Sequence, residues 1–565
     1  MSTTARAFAV LSCCAGLAVF ASSPPAEETV AGMPADEALR LGERMYREGI
    51  LPNGEEMRSF VHGDIEVFGT MFSCESCHVR SGMGSTEGTV VTLPAAGSWL
   101  YAPLIGSDMK DLSRERMPDE FRQKPFRPAY TDRTLSRAIR LGRDPDGRVF
   151  NTVMPRYVLS SRDGEILINY LKHLSAEWSP GVDDTTIRFA TVVTEGVSEA
   201  DATAMMATLE AIVRDHNTQD RHEEERVRRG TWYKQEKWLP YRKFSLSRWD
   251  LTGPPETWGE QLEAYYAAEP VFALLGGISD GDWGPIHEFS ERERLPCLFP
   301  ITEFPVISET DWYTLYFSKG LYQEGEGAAR YLRRAEPEVR DAPAVQIFRD
   351  DPAGRALARG FRETRAGMRM SEPAEVMVEP GRELDAAFWT SLAQQHAGAV
   401  WLVWLEATDV AALELDQDGD RRPVIAIASA SRLGGGVAAL PQSVRDLTLV
   451  TVPHTLPGQM GRTRIAIERW LKIRDIPVTN YDVQAKMYFV GWMMAGVINM
   501  MRDDFYRDNF FDITDMMRDQ DYAIGVYPRL SFGPGQRYAS KGCYVVQFDD
   551  SDPPTLIKKS EWVIH

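Results

Sequence analysis

The stretch "WGEQLEAYYAAEPVFALLGGISDGDWGPIHEFSERERLPCLFPI", residues 258–301, carries the reading of the larger part of the chain. A segment with helical spacing runs into the apolar "VFALLGGI" and breaks at a turn. An amphipathic segment follows, then a second short apolar run, "CLFPI". Short apolar runs bounded by turn residues and separated by helical patterns predict βαβ units and a parallel sheet. The alternation extends outward. "TIRFATVV" (186–193) precedes the helical "ADATAMMATLEAIVRDHN" (200–217). "FSLSRWDL", "WYTLYFS", "AVQIFRDD", "AVWLVWLE", "PVIAIAS" and "DLTLVTVP" read as further strands through residue 453. The polar "DRHEEERVRRGTWYKQEKW" between them reads as a solvated helix or loop, and its H-E-E-E-R lacks the second histidine of a zinc protease motif.

A chain of 565 residues is too long for one hydrophobic core, so several domains are expected. Its net charge of −19 argues against nucleic acid and against an anionic membrane surface. The first residues differ from the rest. Arg6 is the one early charge, and "AFAVLSCCAGLAVFASS" (7–23) is an apolar run ending in small residues. That pattern predicts a signal peptide over 1–22 and an exported, periplasmic protein, with an uncleaved anchor as the alternative. No other stretch reaches membrane-spanning length, so no stable span is expected after cleavage. Four cysteines then remain. Cys297 and Cys543 fit either a disulfide or two separate thiols.

The other two lie in "MFSCESCHVRSGMGS" (71–85). Cys74, Cys77 and His78 form C-x-x-C-H, the attachment signature of c-type haem. In it both thiols become thioethers and the histidine ligates the iron. A zinc site needs a second Cys/His pair, and none is nearby. A sixth ligand is expected downstream, usually a methionine. Of Met83, Met109, Met117 and Met154, Met83 is too close to His78 to reach the opposite haem face. Met154 stands in "VMPRYVLSSRDGEILINYLKHL" (153–174), a Met-Pro loop followed by a helix start at Ser160 and Asp163.

These segments, with "ADEALRLGERMYREGILPNG" (35–54), resemble the class I cytochrome c family. The resemblance implies an all-α domain over 30–178 with one covalent haem c. Cys74 and Cys77 would anchor it, and His78 and Met154 would be the axial ligands. An insertion is expected between Pro94 and Arg127. With both axial positions filled, the domain would transfer electrons rather than catalyse at the iron. Its redox partner would be a periplasmic dehydrogenase or another cytochrome.

After the linker-like "SAEWSPGVDDT" (175–185), residues 186–565 resemble type I periplasmic binding proteins, the receptors for branched-chain amino acids and amides. The resemblance rests on the order and spacing of 258–301, "WYTLYFSKGLYQEGEGAARYL", "APAVQIFRDDPAGRALARGFRE" and "GVYPRLSFGPGQRYASKGCYVVQF". It implies a two-lobed α/β parallel-sheet fold with a small-molecule ligand between the lobes. Ser279, Asp280 and Trp283 would stand at one helix start, and Thr302 and Glu303 at the next strand end. Asp280 opposes a ligand carboxylate, and Ala353 replaces a frequent aromatic, so an amino acid is a poor fit. "LDQDGDRR" (415–422, with Asp416, Asp418 and Asp420) lacks the glycine and glutamate spacing of a calcium loop. The Met-rich 487–501 fits a buried helix better than a copper site. The leading functional expectation is a monohaem electron carrier with a solute-binding or partner-docking module. The alternative is a transporter or signalling receptor whose cleft is gated by haem redox state.

Overall fold

The computed structural model describes residues 29–87, 90–105, 125–229, 242–413, 422–434, 440–459, 461–517, 522, 524–549, 551 and 554–564. The leader, Met109, Met117 and the Asp416–Asp418–Asp420 loop lie outside the described residues. The chain divides into two units, Met1–Ala176 and Glu177–His565.

In the first unit, helix α1 (Ala35–Glu48) buries Ala38, Leu41, Met45 and Tyr46 and ends at Gly49 in the left-handed region. Strands β1 (Arg58–Val61) and β2 (Ile65–Phe68) form a hairpin, and the one-turn helix α2 (Glu75–His78) follows. Helix α3 (Asp132–Leu141) is capped by Thr131. Strand β3 (Arg156–Val158) returns to β1, and helix α4 (Ser161–His173) starts where the Ser160 Oγ accepts from the Asp163 N–H at 3.1 Å. Helices α1 and α4 cross at Gly42. A Cβ there would lie 2.5 Å from the Tyr170 Cβ and 2.8 Å from the Ile166 carbonyl, so only glycine allows the approach.

The expectation of an all-α first domain is corrected by the three-stranded antiparallel sheet β2-β1-β3. The hairpin turns at His62 and Gly63, both at positive φ, and "RSFV" and "IEVF" alternate on either side of it. Of the interval from Pro94 to Arg127, residues 106–124 lie outside the described residues.

The second unit holds two sheets. Strands β4 (Thr186–Thr194), β5 (Lys243–Leu251), β6 (Ala273–Leu275), β7 (Cys297–Leu298) and β8 (Thr314–Leu315) form an all-parallel sheet in the order β5-β4-β6-β7-β8. Helices α5 (Glu199–Arg229), α6 (Trp258–Ala268) and α7 (Gly284–Arg292) connect its strands. Helix α8 (Leu321–Arg333) then leads to β9 (Ala344–Arg349), α9 (Pro352–Gly367), β10 (Ala374–Val378), α10 (Ala386–Gln395), β11 (Val400–Trp404), α11 (Ala407–Val410), β12 (Ile425–Ser429), α12 (Ala430–Leu433) and β13 (Thr448–Val452). These strands form a second sheet, parallel in the order β10-β9-β11-β12-β13. Strand β10, "AEVMV", had not been read from the sequence.

Helices α13 (Gly461–Ile473), α14 (Tyr481–Met501) and α15 (Arg507–Met516) return to the first sheet, sharing its core with Phe189, Phe272 and Leu298. Strand β14 (Gly542–Phe548) closes the second sheet antiparallel to β13. The chain thus passes between the sheets near 318–320, 453–459 and 533–541, which makes two α/β lobes. The Met-rich α14 is a core helix, with Met487, Met493, Met494 and Met501 buried.

The linker-like stretch does not hang free. Trp178 Nε1 donates to the Asp503 carbonyl at 2.8 Å, and the Ser179 Oγ accepts from the Arg507 N–H at 3.0 Å. Arg507, 6% exposed, donates to the carbonyls of Val271 (2.5 Å), Phe272 (3.0 Å) and Glu293 (3.1 Å). Cys297 and Cys543 are both free and buried, one in each sheet, so the disulfide is not formed. Among the described residues no helix is long and apolar enough to cross a membrane.

Two outcomes follow from these contacts. Gly42→Leu should unfold the first unit at markedly lower temperature, by circular dichroism, with a loss of about 1–3 kcal/mol or more from overpacking. Arg507→Met should strand several buried carbonyls and cost the second unit about 3 kcal/mol in urea unfolding.

Candidate functional site

The first unit builds its site around α2. Cys74 immediately precedes the helix and Cys77 follows one turn later; both are free thiols. Burial pushes the Cys74 thiol up to about 12, with Tyr157 pulling the other way. His78 Nδ1 donates to the Leu93 carbonyl at 2.9 Å. That bond fixes the tautomer and leaves Nε2 as the unprotonated, ligating nitrogen. Burial also lowers the His78 pKa, which favours the neutral ring.

Two tyrosines hold this segment. Tyr46 on α1 donates to the Val79 carbonyl at 2.7 Å, and Tyr157 on β3 donates to the Phe72 carbonyl at 2.7 Å. Met154 is half-buried in the turn two residues before β3, so the bond from Tyr157 ties the Met154 segment to the Cys74 segment. Met83 is buried at 3% exposure. Among the described residues no group of three or more His, Cys, Asp or Glu is arranged to hold a metal ion directly. The residues fit a covalently anchored haem. Two thiols stand one helical turn apart, and beside them an imidazole has its far nitrogen oriented by a backbone carbonyl. A methionine is tied to the same segment.

In the second unit the carboxyl edges of both sheets carry polar side chains. Bridges extend the first sheet to Ile278 and Ile301, so Ser279 and Thr302 are the first residues beyond it. Ser279 is 5% exposed, accepts from the Gly281 N–H at 3.2 Å, and receives a bond from Thr194 at 3.1 Å. Thr302 accepts from the Phe304 N–H at 3.0 Å. Asp280 and Glu303 are exposed. Partial burial raises the Glu303 pKa; Arg432 and Lys486 pull it down and Asp280 pushes it up. Arg432 belongs to the second lobe, so Glu303 faces across between the lobes.

Trp283 does not join this group. It is fully buried and packs on Gly277, where a Cβ would lie 2.6 Å from its ring. Its indole belongs to the core behind the first sheet, a common fate for a large aromatic at a helix start.

The second lobe contributes residues that had not been singled out. Arg432 pairs with Asp351 at 2.9 Å and Glu406 at 3.2 Å. Arg349, the last residue of β9, pairs with Asp409 at 2.5 Å. At the crossings, Lys486 pairs with Asp482 at 2.6 Å and lies over the Tyr527 and Phe317 rings. His454 lies 5.3 Å from Tyr527, and burial, with Lys486 adding to it, lowers its pKa to about 4. The available signal was positional: Asp351 and Glu406 close the strand-like runs 344–351 and 399–406, and Arg432 follows the run 423–429 by three residues.

Beneath the edge of the second sheet, Glu324 on α8 is fully buried. It accepts from the Ala430 N–H at 3.1 Å and the Thr451 hydroxyl at 2.8 Å, and burial lifts its carboxyl to about 7. An open groove of about 350 Å³ lies elsewhere, along α5 and β5. Asn217 in its wall is committed to both backbone groups of Phe244, at the amino end of the sheet and away from the polar edge.

No family model matches the chain, and no curated protein matches it. Several solved structures are similar in fold. An ABC transporter substrate-binding protein from Sphaerobacter thermophilus has 12% identity and a TM-score of 0.46, covering 67% of this chain and 98% of its own. A branched-chain amino acid ABC transporter protein from Thermus thermophilus with bound valine has 12% identity and a TM-score of 0.45, covering 67% and 97%. A fatty acid ABC transporter substrate-binding protein from Thermomonospora curvata has 12% identity and a TM-score of 0.42, covering 69% and 95%.

Glu324 makes stability depend on pH. Its folded carboxyl holds a proton to about 7, whereas the unfolded group releases it near 4.5. The contribution is therefore full below pH 4.5 and is lost as pH rises through 7. Glu324→Gln should flatten that fall, leaving the variant the more stable at pH 8 by on the order of 3 kcal/mol in urea titrations.

Proposed function

We propose that the second unit is a solute receptor and that the first unit carries one haem c exchanging electrons with a redox partner. The observation behind the receptor is the opposition of Glu303 in one lobe to Arg432 in the other, at the carboxyl edges of parallel sheets, where such folds bind ligands. Extended crossings between two lobes suit a hinge that closes on a small molecule. On this reading Ser279, Asp280, Thr302 and Glu303 line one wall and Arg432 the other. Trp283 supports that wall from behind.

The haem reading of the first unit is favoured by the bond from His78 to Leu93, which serves a metal-ligating imidazole. The haem supplies one-electron transfer. Cys74 and Cys77 would anchor it and His78 and Met154 would hold the iron, while the tyrosine ties fix the segments that bear them. With both His78 and Met154 given to the iron, the haem would leave no open site for substrate, so the unit would act as a carrier. The leader-like 7–23 and the need for covalent haem attachment both support an exported, periplasmic protein, whose redox partner is a dehydrogenase or another cytochrome. The haem state can then report on or gate the cleft.

Protein produced in cells competent for cytochrome c maturation should carry one covalent haem with a reduced c-type spectrum. Cys74→Ser with Cys77→Ser should lose the covalent haem, and Met154→Ala should change the spectrum and the potential. A wild-type protein without covalent haem under those conditions removes the electron-transfer reading. It leaves the receptor reading to stand on solute binding alone.

A further inference from the structure

Strands β1 and β3 pair in antiparallel register, Arg58 with Val158, Ser59 with Tyr157 and Phe60 with Arg156. Continued two residues further, that register would set His62 opposite Met154. The His62 N–H instead donates to the Thr152 carbonyl at 2.8 Å, so the partner chain has slipped by two residues. Val153, Met154 and Pro155 are left outside the ladder, between Thr152 and Arg156. Pro155 lacks the N–H that a ladder position needs, which makes this the point where regular pairing stops. Extra residues on one strand of an antiparallel pair bend that strand and re-aim its side chains.

The base of this bulge is fastened on both sides. His62 adds a side-chain contact to its backbone bond: its Nδ1 and the Thr152 Oγ1 share a hydrogen bond at 3.2 Å. His62 holds φ at +51°, a left-handed conformation that glycine adopts at lower cost. A bare hairpin turn has no use for an imidazole there, whereas the contact to Thr152 does. Within the bulge, the Val153 N–H donates to the Asn151 Oδ1 and the Met154 N–H to the Asn151 carbonyl, both at 3.1 Å. Beyond it, Tyr157 ties the returning strand to the Phe72 carbonyl, two residues before Cys74. Met154 therefore stands on a short loop with both feet pinned to β1, whose hairpin leads into the Cys74–His78 segment.

Resting on the haem reading above, we infer that β1 is the template for Met154: the register slip presents the methionine on a bulge, and His62 and Thr152 are positioning residues that keep it at the iron. Both act through the loop rather than on the iron. With its feet pinned, the loop has little freedom left to lose when the Met154 sulfur is bound, so an outside ligand gains little by displacing it. Loosening one foot raises the freedom that binding must remove, and the outside ligand then competes better. The His62–Thr152 bond is exposed and modest, so the effect is graded rather than all-or-none.

The test takes the full chain with covalent haem and titrates its ferric form with imidazole, which competes for the place of the methionine. His62→Gly and Thr152→Val should each tighten imidazole binding by about two- to tenfold, the range that one modest hydrogen bond allows. Both should also lower the reduction potential, since a methionine ligand raises it. Thr152→Ser, which keeps the hydroxyl, should match the wild type. Combining His62→Gly with Thr152→Val should add little to either alone, because both remove the same bond. Glycine suits the φ of position 62, so the hairpin should persist and the far-ultraviolet circular dichroism should not change. Unchanged imidazole affinity and potential in both variants, with Met154→Ala shifting both, overturns this inference and leaves the haem reading intact. Imidazole affinity unmoved by Met154→Ala, in protein that carries covalent haem, overturns it together with the role of Met154 as ligand. Wild-type protein without covalent haem removes the inference and the haem reading together.

Discussion

Arg432 spans two carboxylates, Asp351 at 2.9 Å and Glu406 at 3.2 Å, and each belongs to a different strand-to-helix turn of the second sheet. Asp351 also caps α9 by accepting from the Gly354 N–H, while Glu406 precedes α11 and shares its cap with Asp409. Arg432 itself lies in α12, which is capped by Ser429. One guanidinium thus ties together the first turns of three helices. Each of those turns already favours a carboxylate, through its free N–H groups and the positive end of its dipole. Without the guanidinium, Asp351 and Glu406 would be close like charges. The arrangement of these three turns therefore depends on a cation shared between two carboxylates inside the second lobe.

The first unit solves a similar positioning problem with backbone contacts. The α1–α4 crossing needs Gly42, because the Tyr170 Cβ and the Ile166 carbonyl fill the space a side chain would take. That crossing fixes Tyr46, and Tyr46 holds the Val79 carbonyl just beyond α2. From the other side, β3 brings Tyr157 to the Phe72 carbonyl. The Cys-x-x-Cys-His turn is thus fastened at both ends by phenolic hydroxyls whose rings are anchored in the core, and Leu93 orients the histidine from outside the turn. A segment with few apolar side chains of its own stays in place because larger elements hold it.

Much of the second unit's strand and helix order was legible because its strands are short, apolar and punctuated by turns. β9, β11, β12 and β13 fall inside the runs 344–351, 399–406, 423–429 and 446–453. β10 was missed because "AEVMV" keeps only Val378 fully buried and mixes charge into an edge strand. The β1–β2 hairpin was missed for a related reason: β2 is largely exposed and its turn uses His62 rather than the commoner Asn-Gly. Ser279 and Thr302 could be placed at strand ends through the resemblance to binding proteins. That Trp283 turns inward could not, since its direction depends on Gly277 leaving room for the ring. Nor could the arginine pairings, because Arg432 and Asp351 are 81 residues apart and meet only when α9 and α12 start at the same edge.

The crossings link that edge to the rest of the unit. Phe317, just before the first crossing, and Tyr527, in the segment between α15 and β14, stack at 5.6 Å and 19° in the core of the first sheet. His454, on the 453–459 crossing, lies against Tyr527 at 5.3 Å. The Lys486 amine lies 5.5 Å from the Tyr527 centroid and 6.0 Å from that of Phe317, so one buried cation faces both rings. Cation–π contact tolerates small rotations of a ring, because the attraction follows the whole π face rather than one lone pair. Asp482 compensates the same buried charge at 2.6 Å. Arg432 and Lys486 are thus each engaged by a carboxylate. Glu303, at the carboxyl edge of the first sheet, feels both Arg432 and Lys486, which pull its pKa down against burial and Asp280.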